Sequence, residues 1–390
     1  METDWENKVV PLCRQLIRLP SYSGQERELV EFLHRTFAEL QFDEVSIDAY
    51  GSIMATMRGK RNGPKLLLDA HIDTVPVDNP GQWSVDPFGG EIREQKIYGR
   101  GASDMKGALS AMVVAVAEFA ATTGKDFAGE ITIAGVVHEE CFEGIGATKI
   151  AELIQPDLVI IGEASELNLN IGQRGRAELT LETFGESVHS SNPEKGKNAV
   201  YAMCQLIAAI RKLTPATHPL LGKGILELTD IQSAPYPGAS VVPNYCKATF
   251  DRRTVVGEDA ATVLAPLQRL IETLGEAAAA KVQIAYGQET CYTGATIAGE
   301  RFFPAWVMDR DHLLVRKVAA GLQKVFNQPV ELKAYSFCTN GSFYAGIKGI
   351  PTVGFGPSRE NLAHIVDEYV EITQLTGACK GYYGILESLT

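Results

Sequence analysis

The chain has no cysteine pair at metal or disulfide spacing: its seven cysteines (positions 13, 141, 204, 246, 291, 338 and 379) are scattered and never form CxxC. That argues against a disulfide frame and a thiolate zinc site, and for a reducing compartment. Runs of Lys and Arg are also missing, and 36 basic against 48 acidic residues give a formal net charge of −12. Such a surface repels phosphate backbones and anionic lipid, so no nucleic-acid and no membrane partner is expected. Nor is there an apolar stretch of the roughly 18 residues needed to cross a bilayer. The longest, ALSAMVVAVAEFAA at 108–121, is rich in small residues and reads as a buried helix. The N-terminal METDWENKVVPLCRQL shows no basic region followed by an apolar one, so no secretory signal is visible and a cytoplasmic protein is expected.

What is present is an ordinary globular composition, 45% apolar and 22% charged over 390 residues, enough for two or three folded units. Residues 1–175 alternate helices, one carrying Val30, Leu33 and Phe37 on one face, with short apolar runs at 65–70, 130–137 and 157–161. Continuous apolar runs between helices mark strands buried on both faces of an α/β sheet. From 176 to 287 the period changes. Alternation at 178–184, a helix near 198–213, strands at 224–231 and 245–254, a helix at 259–274 and a strand at 281–286 spell βαββαβ, a ferredoxin-like split sheet inserted into the first domain. From about 300 the α/β pattern returns, with a helix near 311–326, a strand at 351–355 and a closing helix near 366–386.

Five segments carry chemistry, most of them at strand ends. In LLLDAHIDTVP (66–76), His71 and Asp73 stand two residues apart and leave on one face, as a converging pair or as a satisfied polar strand end. In GRGASDMKG (99–107), glycines surround Asp104, which suits close approach to a bound group and equally an N-cap. VVHEE (136–140) sets two adjacent carboxylates, Glu139 and Glu140, after an apolar strand; His138 before them reads as structural or supporting. Glu163 follows the apolar run LVII, and the loop FGPSRENLAH delivers His364. Individually each has a bland reading. Together His71, Asp104, Glu140, Glu163 and His364 lie where open α/β sheets bind ligands. Five N/O donors without a thiolate suit two divalent ions, zinc or else cobalt or manganese, about 3.5–4 Å apart.

These residues resemble the M20 metallopeptidase and deacylase family, over essentially the whole chain, through HIDTVP, GRGASDMKG, the EE pair, GEAS, HSS and the late AH. The resemblance implies a di-metal catalytic domain at 1–175 and 288–390 and a lid and dimerisation domain at 176–287. It implies that His71 and Glu163 hold one metal, Glu140 and His364 the other, and that Asp104 bridges. It further implies that Asp73 orients His71, that Glu139 is the general base, and that the Asp104–Met105 peptide is cis. In SVHSSNP (187–193), His189 would stabilise the oxyanion in a partner subunit's site, while Asn244 and Arg253 would contact the substrate carboxylate. A homodimer through the lid follows.

The implied reaction is removal of an acyl group from a small N-acyl amino acid or related carboxylate-bearing amide. A dipeptidase or carboxypeptidase is the alternative within the family. A non-catalytic binding protein would be expected to have lost the base or a ligand, and all of them are present. One departure stands out: relatives often carry an acidic residue where CTNGS (338–342) has Asn340. That loss of charge is expected to bear on the substrate's distal group.

Overall fold

The computed structural model describes residues 4–275 and 279–390. They divide into two compact units, one of residues 4–173, 288–298 and 306–390, the other of 174–275, 279–287 and 299–305.

The first unit is built on a mixed sheet of nine strands among the described residues. In space they run Glu44–Ile47, Ile53–Arg58, Ala128–Val136, Arg61–His71, Leu158–Ile161, Thr352–Gly354, Leu169–Gln173 and Trp306–Val307, with Leu332–Tyr335 also paired to Leu169–Gln173. The four central strands, from Ala128–Val136 to Thr352–Gly354, are mutually parallel. Leu66, Leu67 and Leu68 on one of them are fully buried, as the unbroken apolar run predicts for a strand covered on both faces. Each such side chain contributes about 1.5–3 kcal/mol relative to an exposed one. The apolar stretch at 108–121 lies within the helix Gly107–Thr123, whose residues 107–116, 119 and 120 are buried, which makes it a core helix. The helix stops at Gly124, whose φ of +57° costs a glycine little.

Parallel strands point their carboxyl ends to one side, and that decides the site. Arg61–His71 ends on His71, Ala128–Val136 runs on to Glu139 and Glu140, Leu158–Ile161 to Glu163, and Thr352–Gly354 to the loop bearing His364. The closing helix begins at Ile372, six residues later than its sequence pattern suggests. Residues Tyr369–Glu371 form instead a strand paired with Lys96–Tyr98, a long-range contact that local periodicity does not encode.

In the second unit the strands stand in the order Ile225–Ala234, Tyr245–Thr254, Gly175–Phe184, Ala279–Ile284, all antiparallel. This is the split βαββαβ arrangement. Phe302–Phe303 also pairs with Gly175–Phe184, which is why 299–305 belong here although the sequence pattern places the boundary at 287. Ala177, Leu179 and Leu181 face inward beneath Met203 and Leu206 of the helix Ala199–Ile210 and Val263 and Leu267 of Ala260–Leu274. Asn198 and Asp259 cap those helices by accepting from amides of the first turn.

Candidate metal centre

His71 is buried at its strand end, and its two ring nitrogens face different partners. Nε2 lies 2.7 Å from Asp104 Oδ1 and 3.5 Å from Glu163 Oε1. The other Asp104 oxygen, Oδ2, lies 3.1 Å from His364 Nε2, and that nitrogen is 3.1 Å from each oxygen of Glu140. The carboxylate of Asp104 therefore presents one oxygen to each of two imidazoles, with Glu163 on one side and Glu140 on the other. Ligand atoms of His71, Asp104 and Glu140 come within 4.8 Å of one another, as do those of His71, Glu139 and Glu163. Asp104 does not cap the following helix: its backbone is non-helical, the peptide to Met105 is cis, and the helix starts at Gly107.

Electrostatically this cluster is out of balance on its own. Burial, followed by the charge of Asp104, drives Glu163 well above the usual carboxylate range. Burial also raises Glu139 strongly, with Glu163, Glu143 and Glu140 adding to it. Glu140 is raised by burial and by Asp104. Burial opposes the charge on Asp104 as well, but the His71 and His364 imidazoles outweigh it and hold that carboxyl below its usual range. Hydrogen bonds to Asp104 and Glu140 push His364 up to about 10. Among the described residues no Lys or Arg ion-pairs with these four carboxylates, so only protons or cations can neutralise them. A hard N/O donor set of that charge fits divalent ions.

The surrounding contacts were largely invisible in the sequence. His71 Nδ1 bonds the backbone oxygen of Asp73 at 2.9 Å, whereas the Asp73 carboxylate stands 3.8 Å away. That carboxylate accepts instead from the amides of Glu139 (3.0 Å) and Glu140 (3.2 Å) and from Ser23 Oγ (2.7 Å). The residue after a strand end turns its side chain wherever the neighbouring loop offers donors, here the bare amides of the Glu139–Glu140 turn. Glu368 does the same for Asp104. It is fully buried, accepts from the amides of Ser103 (2.8 Å) and Asp104 (3.1 Å), and is paired with Arg100 at 2.7 Å. Nothing local in IVDEYV marks Glu368. Asp69 did carry a signal, an acid inside an apolar run, and a buried carboxylate demands donors. They are Asn340 Nδ2 (3.0 Å) and Tyr344 Oη (2.9 Å). His138 is buried outside the ligand cluster, with φ +57°.

The remaining expected residues belong to the second unit. His189 is exposed, and its Nδ1 accepts from the Ser191 amide at 3.1 Å with Ser191 Oγ at 2.8 Å. Its loop is tied down by a bridge to Val241 and by the Ser190 amide donating to Ser240. Asn244 is exposed. Arg253 is half-buried and gives its Nε to Asp251 at 2.7 Å, so the full guanidinium fork is not free for another carboxylate; Arg252, on the opposite face, is buried against Glu258.

Comparison with known proteins bears on the whole chain. The sequence profile described as Peptidase family M20/M25/M40 matches residues 67–388. An uncharacterized protein of Escherichia coli K12, YgeY, is 30% identical over 370 residues, covering 94% of this chain and 90% of its own. A succinyl-diaminopimelate desuccinylase of Cereibacter sphaeroides is 30% identical over 387 residues, 94% of each chain. The crystal structure of Bacillus subtilis YXEP, titled a dinuclear metal binding peptidase from the M20 family, superposes with a TM-score of 0.73 at 15% identity over 98% of both chains.

Proposed function

Because this chain belongs to peptidase family M20/M25/M40, whose members are metal-dependent hydrolases of amide bonds, we propose that it removes the acyl group from a small N-acyl amino acid or related carboxylate-bearing amide. The observation that carries the metal reading is Asp104 with one oxygen toward each of two imidazoles. In this reading His71 and Glu163 hold one ion, His364 and Glu140 the other, and Asp104 is shared. The dinuclear character of YXEP and the uncompensated carboxylates support it. Two divalent ions, zinc first and cobalt or manganese next, would supply Lewis acidity and bring a water to hydroxide near neutral pH.

The chain's own residues do the rest. Glu139 is buried beside His71 and Glu163, and its Oε1 has no hydrogen-bond partner, so it is free to take the proton of the attacking water. The same carboxyl then delivers that proton to the leaving amine. Asp73 holds the two backbone amides that aim Glu139 and Glu140. Glu368 holds the backbone amides of Ser103 and Asp104. A backbone N–H can only donate, so the Ser191 amide fixes the lone pair of His189 on Nδ1 and the proton on Nε2. That N–H suits the oxyanion role given to His189, contributed to a partner subunit's centre. Asn244 and Arg253 are assigned to the substrate carboxylate, Arg253 through the terminal nitrogens its bond to Asp251 leaves over.

A homodimer through the second unit completes this reading, paired along the outer strand Ile225–Ala234, where Ile225 and Ile231 are exposed. Seven cysteines scattered without CxxC spacing suit a reducing cytoplasm.

The test is metal analysis of purified protein followed by amine release from N-acetyl, N-succinyl and N-carbamoyl amino acids and from dipeptides. Turnover of the acyl set is expected. Turnover of dipeptides alone makes the protein a dipeptidase or carboxypeptidase, and metal-loaded protein that cleaves none of them overturns the proposal.

A further inference from the structure

The loop 338–342 was expected to face substrate, yet Thr339, Asn340 and Ser342 are buried to within 2% of full coverage. Both ends of the Asn340 amide are engaged: Nδ2 donates to Asp69 Oδ1 at 3.0 Å, and Oδ1 accepts from the Gly144 amide at 2.9 Å. The second Asp69 oxygen accepts from Tyr344 Oη at 2.9 Å. A backbone N–H only donates and an ionised carboxylate only accepts, so the group between Gly144 and Asp69 must do both, in this one orientation. A carboxamide does; a carboxylate does not.

The two ends of this bridge lead to the candidate metal centre. Asp69 precedes His71 by two residues on one strand. Gly144 closes the turn that carries Glu139 and Glu140, a turn already tightened by the Phe142 amide donating to His138 and Glu139. Gly144 has φ +88°, and a Cβ there would come within 3.0 Å of Phe343 Cβ, so the approach of the two loops depends on glycine.

We propose that Asp69 and Asn340 are a matched pair of positioning residues that lock the Glu139–Glu140 turn to the His71 strand, and that this contact, not the substrate, dictates the amide at 340. A carboxylate at 340 would face that of Asp69 with no donor between them unless one of the two took up a proton. This goes beyond the hydrolase reading; only its kinetic readout rests on that reading.

The pair makes a reciprocal exchange informative. With Asp69→Asn and Asn340→Asp together, the amide at 69 donates to the carboxylate at 340 and accepts from Tyr344, while that carboxylate accepts from Gly144; every bond is regained, and only the one between 69 and 340 has its direction reversed. The experiment compares full-length wild type, N340D, D69N and the double variant by Zn²⁺ affinity, by the thermal unfolding midpoint of metal-free protein, and by kcat and KM. N340D is expected to lose affinity and kcat on the order of 10- to 100-fold with KM unchanged. D69N should lose less, since an amide at 69 still accepts from Asn340. The double variant should recover most of the N340D loss in all readouts.

A double variant no better than N340D overturns the pairing. N340D with wild-type Zn²⁺ affinity and an altered KM overturns it too, by returning 340 to the substrate. Should N340D fail to fold, recovery of soluble, cooperatively unfolding protein in the double variant supports the pair, and its failure counts against it. If no variant and no wild type cleaves any amide, the hydrolase reading falls, while affinity and midpoint still decide the pair.

Discussion

The two units use the same charged residues to opposite ends. On the polar face of the second unit carboxylates meet guanidinium groups: Asp251 takes Arg253 at 2.7 Å and Arg176 at 2.9 Å, and Glu178 takes Arg301 at 3.0 Å. In the first unit Asp104, Glu139, Glu140 and Glu163 meet two imidazoles and one another. Half-exposed pairs that neutralise each other are a surface device worth at most about 1 kcal/mol apiece. Buried carboxylates without a matching cation are costly, and a fold retains them only where a ligand or proton balances the charge. The difference teaches where to look for function: at the carboxylates the protein itself leaves unpaid.

That contrast is open to direct attack, beginning with the harshest treatment. Chelation of the metal-loaded protein should abolish amide hydrolysis and lower the thermal midpoint. Hydrogen exchange should quicken at the amides of 103–104 and 139–140 while those of Gly175–Phe184 keep their protection. Equal loosening of both units would erase the distinction. Next, Glu139→Gln should cost roughly 10²–10⁴-fold in kcat with metal content intact, read by amine release alongside metal analysis; turnover near wild type would remove Glu139 as the base. Asp73→Asn should then cost roughly 10- to 100-fold in activity or metal affinity, because an amide cannot accept from both backbone N–H groups and Ser23 at once. The mildest case is Asp251→Asn, which should shift stability by about 1 kcal/mol or less and leave metal binding unchanged, as measured by denaturant unfolding and titration with Zn²⁺. A large loss of metal affinity there would mean the two charged regions are not independent.

Much of this was legible in advance, and the misses share a cause. The run LLLDAH announced a buried strand because three consecutive leucines have no exposed side to turn to, and alternation at 178–184 announced a half-buried one. His71, Glu140, Glu163 and His364 were legible as donors after strands, and Asp104 as a donor among glycines. By contrast, the late start of the last helix was hidden in the pairing of Tyr369–Glu371 with a strand some 270 residues earlier. The amide partners of Asp73, the contacts of Glu368, and the enclosure of Asn340 are equally non-local.

What the sequence by itself determined is which elements form and which donor residues stand at their ends, since both follow from side-chain period and from the few residues around each strand terminus. What only the tertiary structure decided is which oxygen faces which nitrogen and which amide holds each carboxylate. Those choices depend on loops distant in the chain arriving within 3 Å of one another, and no local pattern encodes that arrival.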